Sequence, residues 1–153
     1  MALFLVQHGV NLKKDVDPEQ SLSEEGIANV KRIAETAAHY NVTVGEIKHS
    51  GKKRALQTAE IFADYLQVSG GIQEMEGIKA LDDVVPIAQG LDPGRNTMLV
   101  GHLPFMERIT SYLTAGNPDI IVVKFQNGGI VCLDQLDDTS DWAIKWTLMP
   151  NIG

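Results

Sequence analysis

The sequence holds a single cysteine among 153 residues. Cys132 on its own excludes a disulfide within the chain and a cluster of thiolate metal ligands. It stands in an apolar run, Ile130-Val131-Cys132-Leu133, and reads as a buried structural thiol. Long apolar runs are missing too. No stretch approaches the ~18 residues of a membrane-spanning helix. The N-terminal run Ala2–Val6 is too short for a signal peptide and lacks a basic start. Basic residues are in deficit: 13 Lys and Arg face 20 Asp and Glu, a formal net charge of −7. Nucleic acid and anionic membranes are poor partners for such a surface, whereas a small anion in a locally positive pocket is compatible with it. Three common site signatures are absent: the phosphate loop GxxxxGK[ST], the dinucleotide fingerprint GxGxxG and the nucleophile elbow GxSxG. Carboxylate clusters of the metal-binding kind are not evident: Asp82-Asp83 and Asp137-Asp138 are adjacent pairs, and adjacency is not metal-ligand spacing. The expectation is a cytoplasmic protein with no metal and no cofactor.

Apolar residues make up 44% and charged residues 22%, ordinary values for a globular chain. The length suits one domain over residues 1–153, built on a single core. Ala2–Val6 reads as a strand buried on both faces, as in a parallel sheet. After a polar loop, Ser23 caps a helix whose Glu24 and Glu25 suit its positive end. Ile27, Val30, Ile33, Ala34 and Ala37 form its inner face, and Asn41 ends it. Gly45–His49 is a short strand candidate. A second helix runs from Lys53 to Gln67, with Ala55, Ala59, Phe62 and Leu66 in one stripe. Residues 68–83 read as irregular, Val84–Leu91 as a short helix and Asp92-Pro93-Gly94 as a turn. Asn96–Gly101 is another buried strand, and Pro104 opens a helix to Thr114. Ile120–Phe125 and Ile130–Leu136 read as strands around the turn Gln126-Asn127-Gly128-Gly129. Trp142–Leu148 reads as a last strand, with Trp142, Ile144, Trp146 and Leu148 on one core-facing side. Helices alternating with strands early, and strands clustered late, predict an α/β fold. It is a three-layer α/β/α domain with a mostly parallel sheet and an antiparallel edge strand.

Both buried-type strands run into histidine: Val6-Gln7-His8-Gly9 and Val100-Gly101-His102-Leu103. Ligands of open α/β sheets bind beyond the carboxyl ends of the strands. As parallel neighbours, these strands would bring His8 and His102 together across 94 residues of chain. The densest basic stretch, from Lys48 through Lys52 and Lys53 to Arg54, falls at the start of the second helix. Backbone N–H groups and the helix dipole favour an anion there. Arg54 sits where loop meets helix, where its planar fork suits phosphate oxygens. Two imidazoles, a guanidinium and a helix start make a phosphoryl-transfer site without a metal. One imidazole attacks phosphorus and its partners take the charge that spreads over the non-bridging oxygens. Asn11, Ser21 and His49 are further candidates for the mouth of this site, and His39 reads as a surface residue.

The chain resembles the histidine phosphatase superfamily, the phosphoglycerate-mutase-like fold. The likeness is carried by Gln7-His8-Gly9 after the first strand and by Ser50-Gly51-Lys52-Lys53-Arg54-Ala55-Leu56-Gln57-Thr58. Gly101-His102-Leu103-Pro104 late in the chain and Leu22-Ser23-Glu24-Glu25-Gly26 at a helix start add to it. The short length, the His-Leu-Pro stretch and the ending Trp146-Thr147-Leu148-Met149-Pro150 resemble the SixA-type phosphohistidine phosphatases. The resemblance implies a metal-independent phosphatase in which His8 is the nucleophile and Arg54 and His102 grip the phosphoryl group. Gln7 and Asn11 would also bind phosphate. The implied partner is a phosphorylated protein or small phosphate compound, with protein phosphohistidine foremost. Family members use a Glu or Asp to protonate an alkoxide, for which Asp82 and Asp83 are the candidates here. A phosphoramidate leaves as imidazole and needs less help. One position departs from the pattern: the family has arginine where this chain has Gln7. An amide keeps two N–H donors but loses the charge and the fork. The implied alternative is a weak or inactive phosphatase-fold module that binds a phosphorylated partner.

Overall fold

The structure, a computed structural model, describes residues 1–152. Its first strand, β1 (Ala2–Gln7), hides Leu3, Phe4, Leu5 and Val6 almost completely. A run apolar on both sides is stable only in a sheet covered on both faces, and β1 lies inside such a sheet. The other strands are β2 (Glu46–His49), β3 (Ile72–Glu74), β4 (Thr97–Gly101), β5 (Ile130–Gln135) and β6 (Trp142–Leu148). Their order is β3-β2-β4-β1-β5-β6. The first four run parallel. β5 is antiparallel to both β1 and β6. The strand that opposes the others is therefore one place in from the edge, and the edge strand β6 runs with the parallel set.

Helices α1 (Glu24–His39) and α2 (Lys53–Leu66) cover one face of the sheet, where Phe4, Val6, Ile47, Val100 and Cys132 point. Helices α3 (Val84–Gln89) and α4 (Phe105–Ala115) cover the other, over Leu3, Leu5, Leu99, Val131 and Leu133. The alternation along each strand is the period of two that a pleated strand imposes. Each large side chain so buried contributes about 1.5–3 kcal/mol. α1 begins where expected: Ser23 Oγ accepts from the Gly26 N–H at 3.0 Å. A Cβ on Gly26 would collide with the Val10 carbonyl. Glycine there lets the loop after β1 lie directly on the helix. Among the described residues, no helix is long and apolar enough to cross a membrane.

Four expectations change. Ile120–Phe125 is not a strand. β5 already has β1 and β6 as neighbours, so the sheet offers this segment no ladder. Ile120, Ile121 and Val122 stay exposed, while Val123 and Phe125 fold back onto the core. Residues 68–83 are not wholly irregular, since Ile72–Glu74 adds β3 beside β2. The short helix α3 stops at Gln89, before Leu91. The β6 side chains do not share one face. A β-bulge between Cys132 and Leu133 pairs Cys132 with Trp146 but Leu133 with Ile144. The extra residue, Lys145, switches faces. Trp142 and Ile144 pack with α4, and Trp146 and Leu148 pack on the opposite side, where Trp146 lies 6.1 Å from Phe4 between ring centroids.

Candidate active site

The register of two strands builds the site. β1 and β4 are parallel, with Val6 opposite Val100 and Gln7 opposite Gly101. The same offset places His8 beside His102, and the ladder continues for one more bond, from the His8 N–H to the Gly101 carbonyl at 3.0 Å. The two rings lie 5.0 Å apart between centroids, tilted by 55°. β2 pairs with β4 on the other side, His49 opposite Val100. That brings Ser50 to the same edge, where its Oγ lies 2.6 Å from His102 Nε2.

His8 is fixed in one tautomer. Its Nδ1 lies 2.7 Å from the Gly9 carbonyl oxygen. A carbonyl only accepts, so Nδ1 carries the proton and Nε2 keeps its lone pair. Burial pushes the His8 pKa below the usual imidazole range. The Gly9 bond opposes this and the Arg54 charge adds to it. Nε2, the nitrogen which that bond leaves without a proton, is the one with a lone pair available for attack. The loop is held from three directions. Thr58 Oγ1 accepts the Gly9 N–H at 3.0 Å and donates to the Arg54 carbonyl at 2.8 Å. Asn127 Nδ2 donates to the His8 carbonyl at 3.0 Å, and the Gly128 N–H donates to the Gln7 carbonyl at 2.8 Å. Gln57 Oε1 accepts the Leu22 N–H at 2.8 Å, tying α2 to the start of α1.

His102 is 4% exposed. Burial, and then the charges of His8, Arg54, Lys52 and Lys79, push its pKa down to about 4. Arg54, in the first turn of α2, is half-buried and makes no ion pair among the described residues. α2 has no side-chain cap at Lys52, which leaves the opening N–H groups of the helix without a side-chain acceptor.

The remaining candidates divide. Gln7 ends β1, and its Oε1 is buried without a hydrogen-bond partner. Asn11 Nδ2 donates to the Leu12 carbonyl at 2.9 Å, a turn role. Ser21 belongs to a turn organised by Asp17, whose Oδ2 accepts the Ser21 N–H. His49 is buried, and its Nδ1 accepts the Gly51 N–H at 3.1 Å. His39 is exposed in the last turn of α1. Lys53 is bound to Glu19 at 2.6 Å. Asp82 accepts the Lys79 N–H and Asp83 caps α3 through the Val85 N–H. Among the described residues, no three His, Cys, Asp or Glu side chains gather as a metal site would need.

Sequence reasoning missed Asn127, Lys79 and the Ser50–His102 contact. The Gln126-Asn127-Gly128-Gly129 signal marked a turn but not its amide's target. Nothing local marks Lys79.

No family model matches the chain, and no curated protein matches it in sequence. Solved structures do match. The protein histidine phosphatase SixA, complexed with tungstate, aligns at 20% identity over 98% of this chain and 97% of its own, with a TM-score of 0.81. A protein described as the phosphohistidine phosphatase SixA of Agrobacterium tumefaciens aligns at 22% identity over 97% of each chain, with a TM-score of 0.75. A mycobacterial glucosyl-3-phosphoglycerate phosphatase, in complex with VO3, aligns at 16% identity over 95% of this chain and 97% of its own, with a TM-score of 0.69. The chain has the phosphoglycerate-mutase-like α/β fold that these histidine phosphatases share.

Proposed function

We propose that the protein is a metal-independent phosphatase working through a phosphohistidine intermediate on His8, with protein phosphohistidine as its substrate class. The observation that carries this reading is the pairing of His8 and His102, 5.0 Å apart at the carboxyl edge of β1 and β4. Arg54 and the start of α2 stand beside them. The tungstate and VO3 complexes of proteins with the same fold support an oxyanion as the ligand.

The chemistry runs in two steps. His8 Nε2 attacks phosphorus and the substrate's P–N bond breaks, its electron pair staying on the departing imidazole nitrogen. Attack leaves positive charge on the His8 ring, and the Gly9 carbonyl at 2.7 Å from Nδ1 stabilises it. Water then attacks phosphorus and the P–Nε2 bond breaks, giving inorganic phosphate and free His8. Arg54 and His102 hold the non-bridging oxygens in both steps. An imidazole leaving group needs less protonation than an alkoxide, which fits a site whose two candidate acids are engaged elsewhere, Asp82 with the Lys79 N–H and Asp83 with the Val85 N–H.

Incubation with a phosphohistidine-bearing protein releases phosphate and leaves an acid-labile label on the wild type, while His8→Ala does neither. Absence of both release and label in the wild type defeats the reading. A second reading rests on Gln7, a neutral amide where the resemblance implies arginine. It makes the protein a binding module for a phosphorylated partner, with phosphate-sensitive association and no turnover.

A further inference from the structure

The cup is short of charge for the ligand class proposed above. A phosphoryl dianion carries two negative charges, and the imidazoles of His8 and His102 are both held below the usual range by burial first. At neutral pH that leaves one permanent cation, Arg54. The chain as a whole carries a formal charge of −7, so its long-range field opposes an incoming anion. A second cation must come from nearby.

Three lysines are within reach by sequence or fold. Lys53 is neutralised by Glu19 at 2.6 Å. The other two are free: Lys52 and Lys79 are exposed and make no ion pair among the described residues. Lys52 lies two residues past Ser50, whose hydroxyl touches His102, and its own N–H points back at that hydroxyl at 3.4 Å. Lys79 belongs to a different segment, between β3 and α3. It follows Ile78, which is fully buried and whose carbonyl packs against Gly101, the residue before His102. Asp82 accepts the backbone N–H of Lys79 but does not pair with its ammonium.

We propose that Lys52 and Lys79 form a two-sided cationic clamp on the phosphoryl group, supplying the charge that balances the dianion alongside Arg54. The inference rests on the phosphatase-site reading and assigns phosphate binding to two residues outside the histidine motifs. The lysines act on affinity more than on bond breaking, because each reaches the oxygens from the rim.

The probes are inorganic phosphate and vanadate, titrated calorimetrically into the wild type, Lys52→Gln, Lys79→Gln, the double variant and Lys53→Gln. Neither lysine side chain makes a hydrogen bond or ion pair among the described residues, so matched melting curves are expected. Each single variant weakens phosphate by about three- to tenfold at low salt, and the gap narrows at high salt. The double variant weakens it further, Lys79→Arg restores it and Lys53→Gln leaves it unchanged. In turnover assays the loss appears in KM more than in kcat. A wild type that binds phosphate while the double variant binds it within about twofold overturns the clamp alone. A wild type that binds neither probe overturns the site reading, and the clamp with it.

Discussion

The burial of His102 makes a specific demand on stability at acid pH. In the unfolded chain an imidazole titrates near 6.5, whereas in the folded protein His102 is pushed down to about 4. Between those values the unfolded state binds the proton and the folded state does not. Stability therefore rises with pH across that window and is lost as pH falls from about 6.5 towards about 4. At about 1.4 kcal/mol per pH unit the full displacement corresponds to roughly 3 kcal/mol. Water at the open mouth of the cup screens part of it, leaving about 2 kcal/mol. His8 and His49, both held low chiefly by burial, act in the same direction. The perturbation is His102→Gln, which removes the titrating group and keeps a polar partner for Ser50. Urea unfolding at about pH 7.5 and about pH 4.5 gives the stability of each protein at each pH. The carboxylates titrate alike in both and cancel in the comparison. Between the two pH values the wild type loses about 2 kcal/mol more than the variant. Parallel losses would mean that the His102 ring takes up its proton as easily folded as unfolded, and would refute the account of a desolvated imidazole.

Three further predictions follow from the same geometry. Ser50→Ala leaves the buried His102 Nε2 without its partner. It costs about 1–3 kcal/mol in urea unfolding and lowers phosphate release by roughly tenfold; unchanged values on both counts would remove Ser50 from the site. Gln7→Arg places a charge and a fork at the end of β1 and raises phosphohistidine turnover by about 10- to 10³-fold. If steady-state rates do not move, position 7 does not face the phosphoryl group. Gly26→Ala drives a methyl group into the Val10 carbonyl and costs about 1–3 kcal/mol, read from the urea midpoint. A midpoint equal to that of the wild type would mean that α1 and the loop after β1 are not in contact.

The sheet's centre was legible because its signals are continuous. Ala2–Val6 and Asn96–Gly101 are apolar on both faces, which permits few placements other than adjacent parallel strands. Once they are adjacent, the 94-residue spacing of the histidines is simply the register between the strands. The edges were less legible. β3 has three residues, too few for a period of two to stand out. The Ile120–Val122 run has strand chemistry, yet pairing depends on a free sheet edge, and β5 has none to give. The alternation from Trp142 to Leu148 is real in the sequence, but the bulge that divides it between faces depends on the partner strand. Within the site, the histidines and Arg54 were visible from strand ends and helix starts. Ser50 as the partner of His102, Asn127 as the support of the His8 carbonyl and Lys79 as a flanking charge were not. Each acts across elements that only the fold brings together.

On the phosphatase reading, the positive charges around the cup bear on two requirements that would conflict in an isolated peptide. A nucleophilic imidazole must be unprotonated, and an imidazole that holds a phosphoryl oxygen does so best when protonated. Arg54 lowers the pKa of both rings, and Lys52 and Lys79 add to the effect at His102. Before ligand enters, burial first and these charges after it hold both rings below the usual imidazole range, Arg54 acting at both and the lysines at His102 alone. A phosphoryl dianion cancels their field at the point where it binds, so the penalty on protonating His102 falls as the ligand arrives. His8 cannot take that proton on Nε2, because the nitrogen is then facing phosphorus and its Nδ1 is already committed to the Gly9 carbonyl. On that reading His102, whose Nε2 shares a short contact with Ser50, is the ring left able to take up a proton from solvent once the ligand is seated, after the lysines have helped to bring it in. The two histidines, at equivalent strand ends, differ in their hydrogen-bond partners, a backbone carbonyl for His8 and a serine hydroxyl for His102, so the same ligand meets two rings with different nitrogens committed.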